Sequence, residues 1–208
     1  MNSNSSHAAR RIVFVAAPGT EILDLVGPLQ VFARASEIFV KQNTNASPIY
    51  SVEVVATSPQ RSFVTNCGLR ITAHKTFREL PGSIDTLLVA GGTAIENDEV
   101  NAEVIRWLKT IAGRIRRIGS VCTGAMLLAE AGILRGRPAI THHSAIEDLR
   151  TFGADVREGD RVVDDGDIIT AAGVTSGIDL ALYLIEQELG AEAAQAGARE
   201  IEWDGAPV

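Results

Sequence analysis

The sequence is poor in the features that mark specialised protein classes. Cysteine occurs twice in 208 residues, at Cys67 and Cys122, which makes no disulfide framework and points to a reducing compartment. No run of Lys or Arg exceeds two residues and the net charge is −7. The chain therefore has no phosphate-binding stripe, which argues against nucleic acid as a direct partner. No stretch approaches the length of a membrane span, so the reading carries no membrane. Arg10-Arg11 before Ile12–Ala17 imitates a twin-arginine signal. That apolar run is too short for a signal core and leads into Pro18-Gly19-Thr20-Glu21, so it reads as a first strand and the protein as cytoplasmic. There is no internal repeat and no low-complexity linker.

What is present suits one soluble domain. Apolar residues make up 46% and charged residues 22% of the chain, ordinary values for a globular protein of a size that buries one good core. Residues 1–10 are expected to be a disordered tail, 11–203 the domain, and 204–208 a second tail. Strands are expected at Arg11–Ala17, Tyr50–Thr57, Asp85–Ala90, Pro138–His142, Asp155-Val156, Arg161–Val163 and Ile168–Ala171. Helices are expected from about Asp24 to Val40 and over Asn97–Ala112, Ala125–Ala131, Ser144–Phe152, Ile178–Leu189 and Ala191–Ile201. Pro28 would be tolerated only early in the first of these. Residues Arg61–Thr72, with Cys67-Gly68, read as a short hairpin or an irregular crossover. Strands alternating with helices imply an α/β fold, a doubly wound and mainly parallel sheet.

The chain is organised around Arg117–Gly132. Ile118–Val121 has the composition of a buried strand, Cys122-Thr123-Gly124 of a sharp turn, and Ala125–Ala131 of a helix stopped by Gly132. A cysteine at such a turn is presented at the carboxyl edge of the sheet, beside a helix N-terminus expected to favour thiolate over thiol. This is the pattern of a nucleophile elbow with Cys in place of Ser. A buried structural cysteine would give the same local pattern.

Two further strand exits fall at the same edge: the loop leading to Asp24, and Gly91-Gly92. In a parallel sheet all three converge on one pocket. Asp24 is either a helix cap or the acid–base partner of the thiol. The backbone N–H groups of Gly92 and Thr123 are candidates for an oxyanion hole, and Gly91-Gly92 forms the pocket floor. His142 and His143 suggest a metal pair, but neighbours on a strand face opposite ways, so no metal is expected and His142 is the better pocket candidate. Cys67 reads as a small buried hydrophobe.

Leu23–Phe32, Ser120–Ala125, Ile140–His142 and Ala172–Ala181 resemble the ThiJ/PfpI superfamily, of class I glutamine-amidotransferase-like fold. The branch they resemble most is that of isonitrile hydratases and the amidase-like N-terminal domains of AraC-type regulators. The resemblance spans residues 11–190. It implies a flavodoxin-like sandwich, a homodimer, a small-molecule substrate and no cofactor. It also implies Cys122 as nucleophile, Asp24 as its acidic partner and Thr123 as a functional neighbour. Through these residues an isonitrile would be hydrated by way of a thioimidate to an N-substituted formamide. The alternative it implies is a ligand or redox sensor domain without catalysis. Thr123 stands where PfpI-type proteases carry His, and no His-x-Glu pair of the glutaminase kind follows the elbow. Deglycase branches pair their Cys with Glu rather than Asp.

Overall fold

The computed structural model describes residues 9–43, 46–80, 82–92 and 98–205. Most of the expected tail 1–10, the start of the helix expected from Asn97 and the end of the tail 204–208 lie outside these residues. Arg10 already belongs to the first strand.

Eleven strands and six α-helices follow one another among the described residues. They are β1 (Arg10–Ala16), α1 (Ile22–Gln42), β2 (Tyr50–Ala56), β3 (Ser62–Val64), β4 (Arg70–Thr72), β5 (Lys75–Thr76), β6 (Thr86–Val89) and α2 (Asp98–Ile111). After these come β7 (Arg117–Val121), α3 (Gly124–Glu130), β8 (Pro138–Ala139), α4 (Ile146–Thr151), β9 (Asp155–Val156), β10 (Val162–Asp164), β11 (Ile168–Ala171), α5 (Ser176–Leu189) and α6 (Ala191–Glu200). The main sheet has the order β10-β11-β7-β6-β1-β2-β5, parallel except where β10 pairs with β11.

The pattern of β1 shows why the sheet is sandwiched. Ile12, Phe14 and Ala16 point into one core with Leu25, Val31 and Phe32 of α1 and Leu180 and Leu184 of α5. Val13 and Val15 point the opposite way, into a second core with Val104 and Leu108 of α2, Ala125 and Leu128 of α3 and Leu149 of α4. A strand buried on both faces reads as an unbroken apolar run, as Ile12–Ala16 does. Each large side chain in these layers contributes about 2 kcal/mol by leaving water.

The chain leaves β1 toward β2 on one side and returns to β6 on the other. The loops at the carboxyl ends of β1 and β6 therefore diverge there and open a crevice, the place where doubly wound folds bind ligands.

Several expectations are corrected. Pro28 lies seven residues into α1, well inside it, where its missing N–H leaves the Asp24 carbonyl without the usual helical donor. The strand expected at Pro138–His142 ends at Ala139, and His143–Ala145 is a 3₁₀ turn ahead of α4. The two-residue edge strand β5, paired with Val55 and Ala56, was not anticipated. It is too short to show a period. Residues Ser62–Thr72 form an antiparallel hairpin.

Candidate active site

The elbow is built by strand pairing on one side and close packing on the other. Strand β7 runs parallel to β11, and Gly119 has no room for a side chain, because a Cβ there would lie 2.2 Å from the Ile169 carbonyl oxygen. At the end of β7 the Cys122 N–H donates to the Ala171 and Ala172 carbonyls at 3.1 and 2.7 Å. The Cys122 carbonyl accepts from Thr141 Oγ1 at 3.0 Å. Held from both sides, Cys122 adopts φ 59°, the left-handed region that an L-residue enters only at a cost of about 1 kcal/mol or more. Helix α3 starts immediately, with Gly124 pressed so close to β6 that a Cβ would lie 2.1 Å from the Val89 oxygen. The strand–cysteine–helix turn expected from the sequence is formed.

Asp24 reaches the cysteine from the first turn of α1. Glu21 is the residue preceding that helix and gives it no side-chain cap, so Asp24 is not the cap. Its carboxyl is fully buried, and Oδ2 accepts the Gly91 N–H at 3.1 Å. Oδ1 accepts no conventional hydrogen bond. The carboxyl does lie within hydrogen-bonding reach of the Cys122 thiol and of the Val174 N–H. Gly91 makes this convergence possible. A Cβ on it would fall 2.6 Å from Thr123 N, 2.7 Å from Thr123 Oγ1 and 2.9 Å from Asp24 Oδ2.

Burial pushes Asp24 up to about 7, with the Glu21 charge adding to the rise and hydrogen bonds from Cys122 and Gly91 opposing it. Burial also pushes the Cys122 thiol up to about 11, helped by the neighbouring Asp24 charge. The expectation of a thiolate is thereby corrected. The Thr123 and Val174 N–H groups favour the anion, but desolvation and the Asp24 charge oppose them and prevail. Burial thus favours the protonated sulfur, beside a carboxyl whose own proton affinity is also raised.

The expected oxyanion hole is also revised. The Gly92 N–H is occupied by Thr123 Oγ1 at 2.9 Å, and the Gly91 N–H by Asp24. The N–H groups directed at the sulfur belong to Thr123 and Val174. Val174 had not been singled out. It has φ 44°, unusual for a β-branched residue. Its only sequence signal was its place inside Gly173–Gly177.

His142 sits against the loop before Val174, since a Cβ on Gly173 would lie 2.6 Å from His142 Cδ2. Its Nδ1 lies 2.8 Å from Ser144 Oγ, and burial together with the His143 charge lowers its proton affinity. The strand argument against a shared metal does not apply, because neither histidine is on a strand and their ring centroids are 4.1 Å apart. Among the described residues no group of three or more His, Cys, Asp or Glu could hold a metal ion. Cys67 is exposed, contrary to its reading as a buried hydrophobe. A recess of about 280 Å³ between α1 and α6, lined by residues such as Phe39, Leu189 and Ala193, contains neither Cys122 nor Asp24.

Residues 10–187 match the DJ-1/PfpI family. The chain belongs to that family. It is 32% identical over 199 residues to an isonitrile hydratase of Pseudomonas putida, covering 96% of this chain and 81% of that protein. It is also 32% identical over 126 residues to the HTH-type transcriptional regulator GbdR of Pseudomonas aeruginosa, covering 60% of this chain and 34% of the regulator. A crystal structure of a ThiJ/PfpI family protein from Pseudomonas syringae superimposes with a TM-score of 0.81 at 29% identity, covering all of this chain and 80% of that one. No helix among the described residues of this DJ-1/PfpI member is long and apolar enough to cross a membrane.

Proposed function

We propose that this protein is a cysteine-dependent hydro-lyase that converts an isonitrile and water to an N-substituted formamide. The observation that carries the reading is the buried Asp24 carboxyl held by the Gly91 N–H within hydrogen-bonding reach of the Cys122 thiol, with burial raising the proton affinity of both. The likeness to an isonitrile hydratase over nearly the whole chain supports it.

An isonitrile carbon carries a lone pair and an empty acceptor orbital, so it takes both a nucleophile and a proton. Asp24 removes the thiol proton as the S–C bond forms and returns a proton to that carbon, giving the thioimidate R–N=CH–S–Cys122. Water adds to the same carbon as the Asp24 carboxylate takes its proton and passes it to the nitrogen, giving R–NH–CH(OH)–S–Cys122. The tetrahedral adduct then collapses: the C–S bond breaks, the sulfur regains a proton through Asp24, and R–NH–CHO leaves. An acid with a midpoint near the working pH suits both directions of proton transfer. The Thr123 and Val174 N–H groups stabilise sulfur as it leaves, and the Thr123 hydroxyl holds Gly92 rather than orienting water.

The same reading includes a small-molecule substrate, no cofactor, a cytoplasmic setting and a homodimer. Exposed Val26 on α1 and exposed Val64 and Leu69 on the β3–β4 hairpin are apolar surface suited to a second copy. The second functional reading, a non-catalytic sensor, is supported by the likeness to the regulator GbdR.

The test is formamide production from cyclohexyl isocyanide by the purified protein, by Cys122→Ala and by Asp24→Asn. Turnover in the wild type that either change abolishes supports the hydratase. Absence of wild-type turnover, with Cys122 still alkylated in the folded protein, overturns it in favour of the sensor.

A further inference from the structure

Helix α1 carries Asp24 but begins without a local cap, since Glu21 makes no side-chain bond to the first turn. Four N–H groups at a helix start need acceptors. One is supplied from 44 residues away, where Asn66 Oδ1, at the tip of the β3–β4 hairpin, accepts the Ile22 N–H at 3.4 Å. The Asn66 N–H donates to the Thr20 carbonyl at 3.0 Å, and Asn66 Nδ2 donates to Glu21 Oε2. One residue thus holds three successive residues of the segment entering α1. The hairpin is secured further by the Gly19 N–H, which donates to the Val64 carbonyl at 2.7 Å. Asn66 also fixes the Glu21 carboxylate, whose backbone is already tied to the site through its N–H on the Gly91 carbonyl at 2.9 Å.

We propose that Asn66 and Glu21 form a positioning pair for Asp24: Asn66 caps α1 from outside the helix and fixes the place of the Glu21 carboxylate at the start of the helix that carries Asp24. The inference rests on the reading of Asp24 and Cys122 as a working pair. The charged and titratable groups in this neighbourhood are few. Cys122 faces Asp24 from the elbow, while the Glu21 charge acts on Asp24, on His142 beyond the elbow and on the exposed Cys67 of the hairpin. Asn66 is neutral, so it fixes the place of the Glu21 charge without cancelling it. Neither Asn66 nor Glu21 is required to touch a substrate.

The experiment follows alkylation of Cys122 by iodoacetamide against pH in the full chain. Cys122 is read as its own peptide by mass spectrometry, so that Cys67 does not contribute. The wild type shows an inflection near pH 7 from Asp24, which Asp24→Asn removes. Glu21→Gln moves that inflection to lower pH by roughly half a pH unit or more, as expected for loss of one nearby charge. Asn66→Asp keeps an acceptor for Ile22 but sets a second carboxylate against Glu21, and moves the inflection to higher pH. Asn66→Ala releases the Glu21 carboxylate toward water and shifts the inflection in the same direction as Glu21→Gln. A purely structural cap would change melting temperature in the Asn66 variants and leave the inflection in place. An unmoved inflection in Glu21→Gln and Asn66→Asp therefore overturns the proposal, as does its absence from the wild type. Because alkylation needs no substrate, failure of isonitrile turnover with a moving inflection removes the hydratase reading and leaves the positioning pair standing.

Discussion

Thr123 and Gly92 hold one another in both directions: the Gly92 N–H donates to Thr123 Oγ1 at 2.9 Å, and the same hydroxyl lies 3.3 Å from the Gly92 carbonyl. The residue after Cys122 is thereby joined to the loop after β6. Replacing Thr123 by Val keeps the shape and strands a backbone N–H, at a cost of about 1–2 kcal/mol. Thermal unfolding should show that loss in Thr123→Val and little of it in Thr123→Ser. Isonitrile turnover, where present, should fall with the stranded N–H and return with Ser.

Asp24→Asn should stabilise the protein while disabling the site. Asp24 titrates near 7 in the fold against an ordinary 3.8, so the folded state binds the extra proton between about pH 4 and 7. Stability contributed by the neutral acid is lost as pH rises through that window, and the cost persists above it. Asn has no charge to bury. Denaturant melts should show the variant more stable by a few kcal/mol at pH 8, with the advantage gone below pH 4. Equal stability at pH 8 would refute the buried charge.

The thiol itself should behave as a weak acid. With Cys122 pushed up to about 11, its alkylation in the folded protein should keep rising beyond pH 9. In Asp24→Asn the neighbouring charge is gone, so the rate at pH 8 should increase several-fold. Beyond the Asp24 inflection near pH 7, a wild-type rate with no further rise above pH 9 would mean that the thiolate is stabilised after all.

The backbone at the elbow yields a stability order opposite to the usual one. Gly normally destabilises relative to Ala, but Cys122 has φ 59°, which Gly adopts freely and Ala does not. Cys122→Gly should therefore match or exceed Cys122→Ala in unfolding free energy, by up to about 1 kcal/mol. The comparison needs only two melts at one pH.

The parts of this molecule that could be read from sequence are those set by local composition. The run Ile12–Ala16 and the passage from Val121 through Cys122 to Ala125 carry their own strand and turn signals, so the doubly wound sheet and the elbow were both visible. Asp24 was visible because its loop and that of Gly91-Gly92 had to share one sheet edge. Other features depend on distant packing and were hidden. Whether Gly92 keeps a free N–H depends on where a hydroxyl 31 residues later comes to lie. The proton affinity of Cys122 depends first on its own burial and then on the charge of a carboxyl nearly a hundred residues earlier. Asn66 lies in the stretch read as a short hairpin or irregular crossover, whose contact with the start of α1 shows only in the fold, and nothing in the Pro138–His142 segment announced that its strand would stop after Ala139.

The loops that make the site come from four separate parts of the chain, at Asp24, at Gly91-Gly92, at Cys122-Thr123 and at Val174. Hydrogen bonds between these parts, from Gly91 to Asp24 and from Gly92 to Thr123, tie them together in the assembled fold. An unfolded or half-assembled chain would carry an ordinary solvated cysteine at position 122, whereas the finished fold conceals a reluctant one, 6% exposed. At mildly alkaline pH, chemical labelling of that one sulfur is accordingly faster in the wrong state than in the right one.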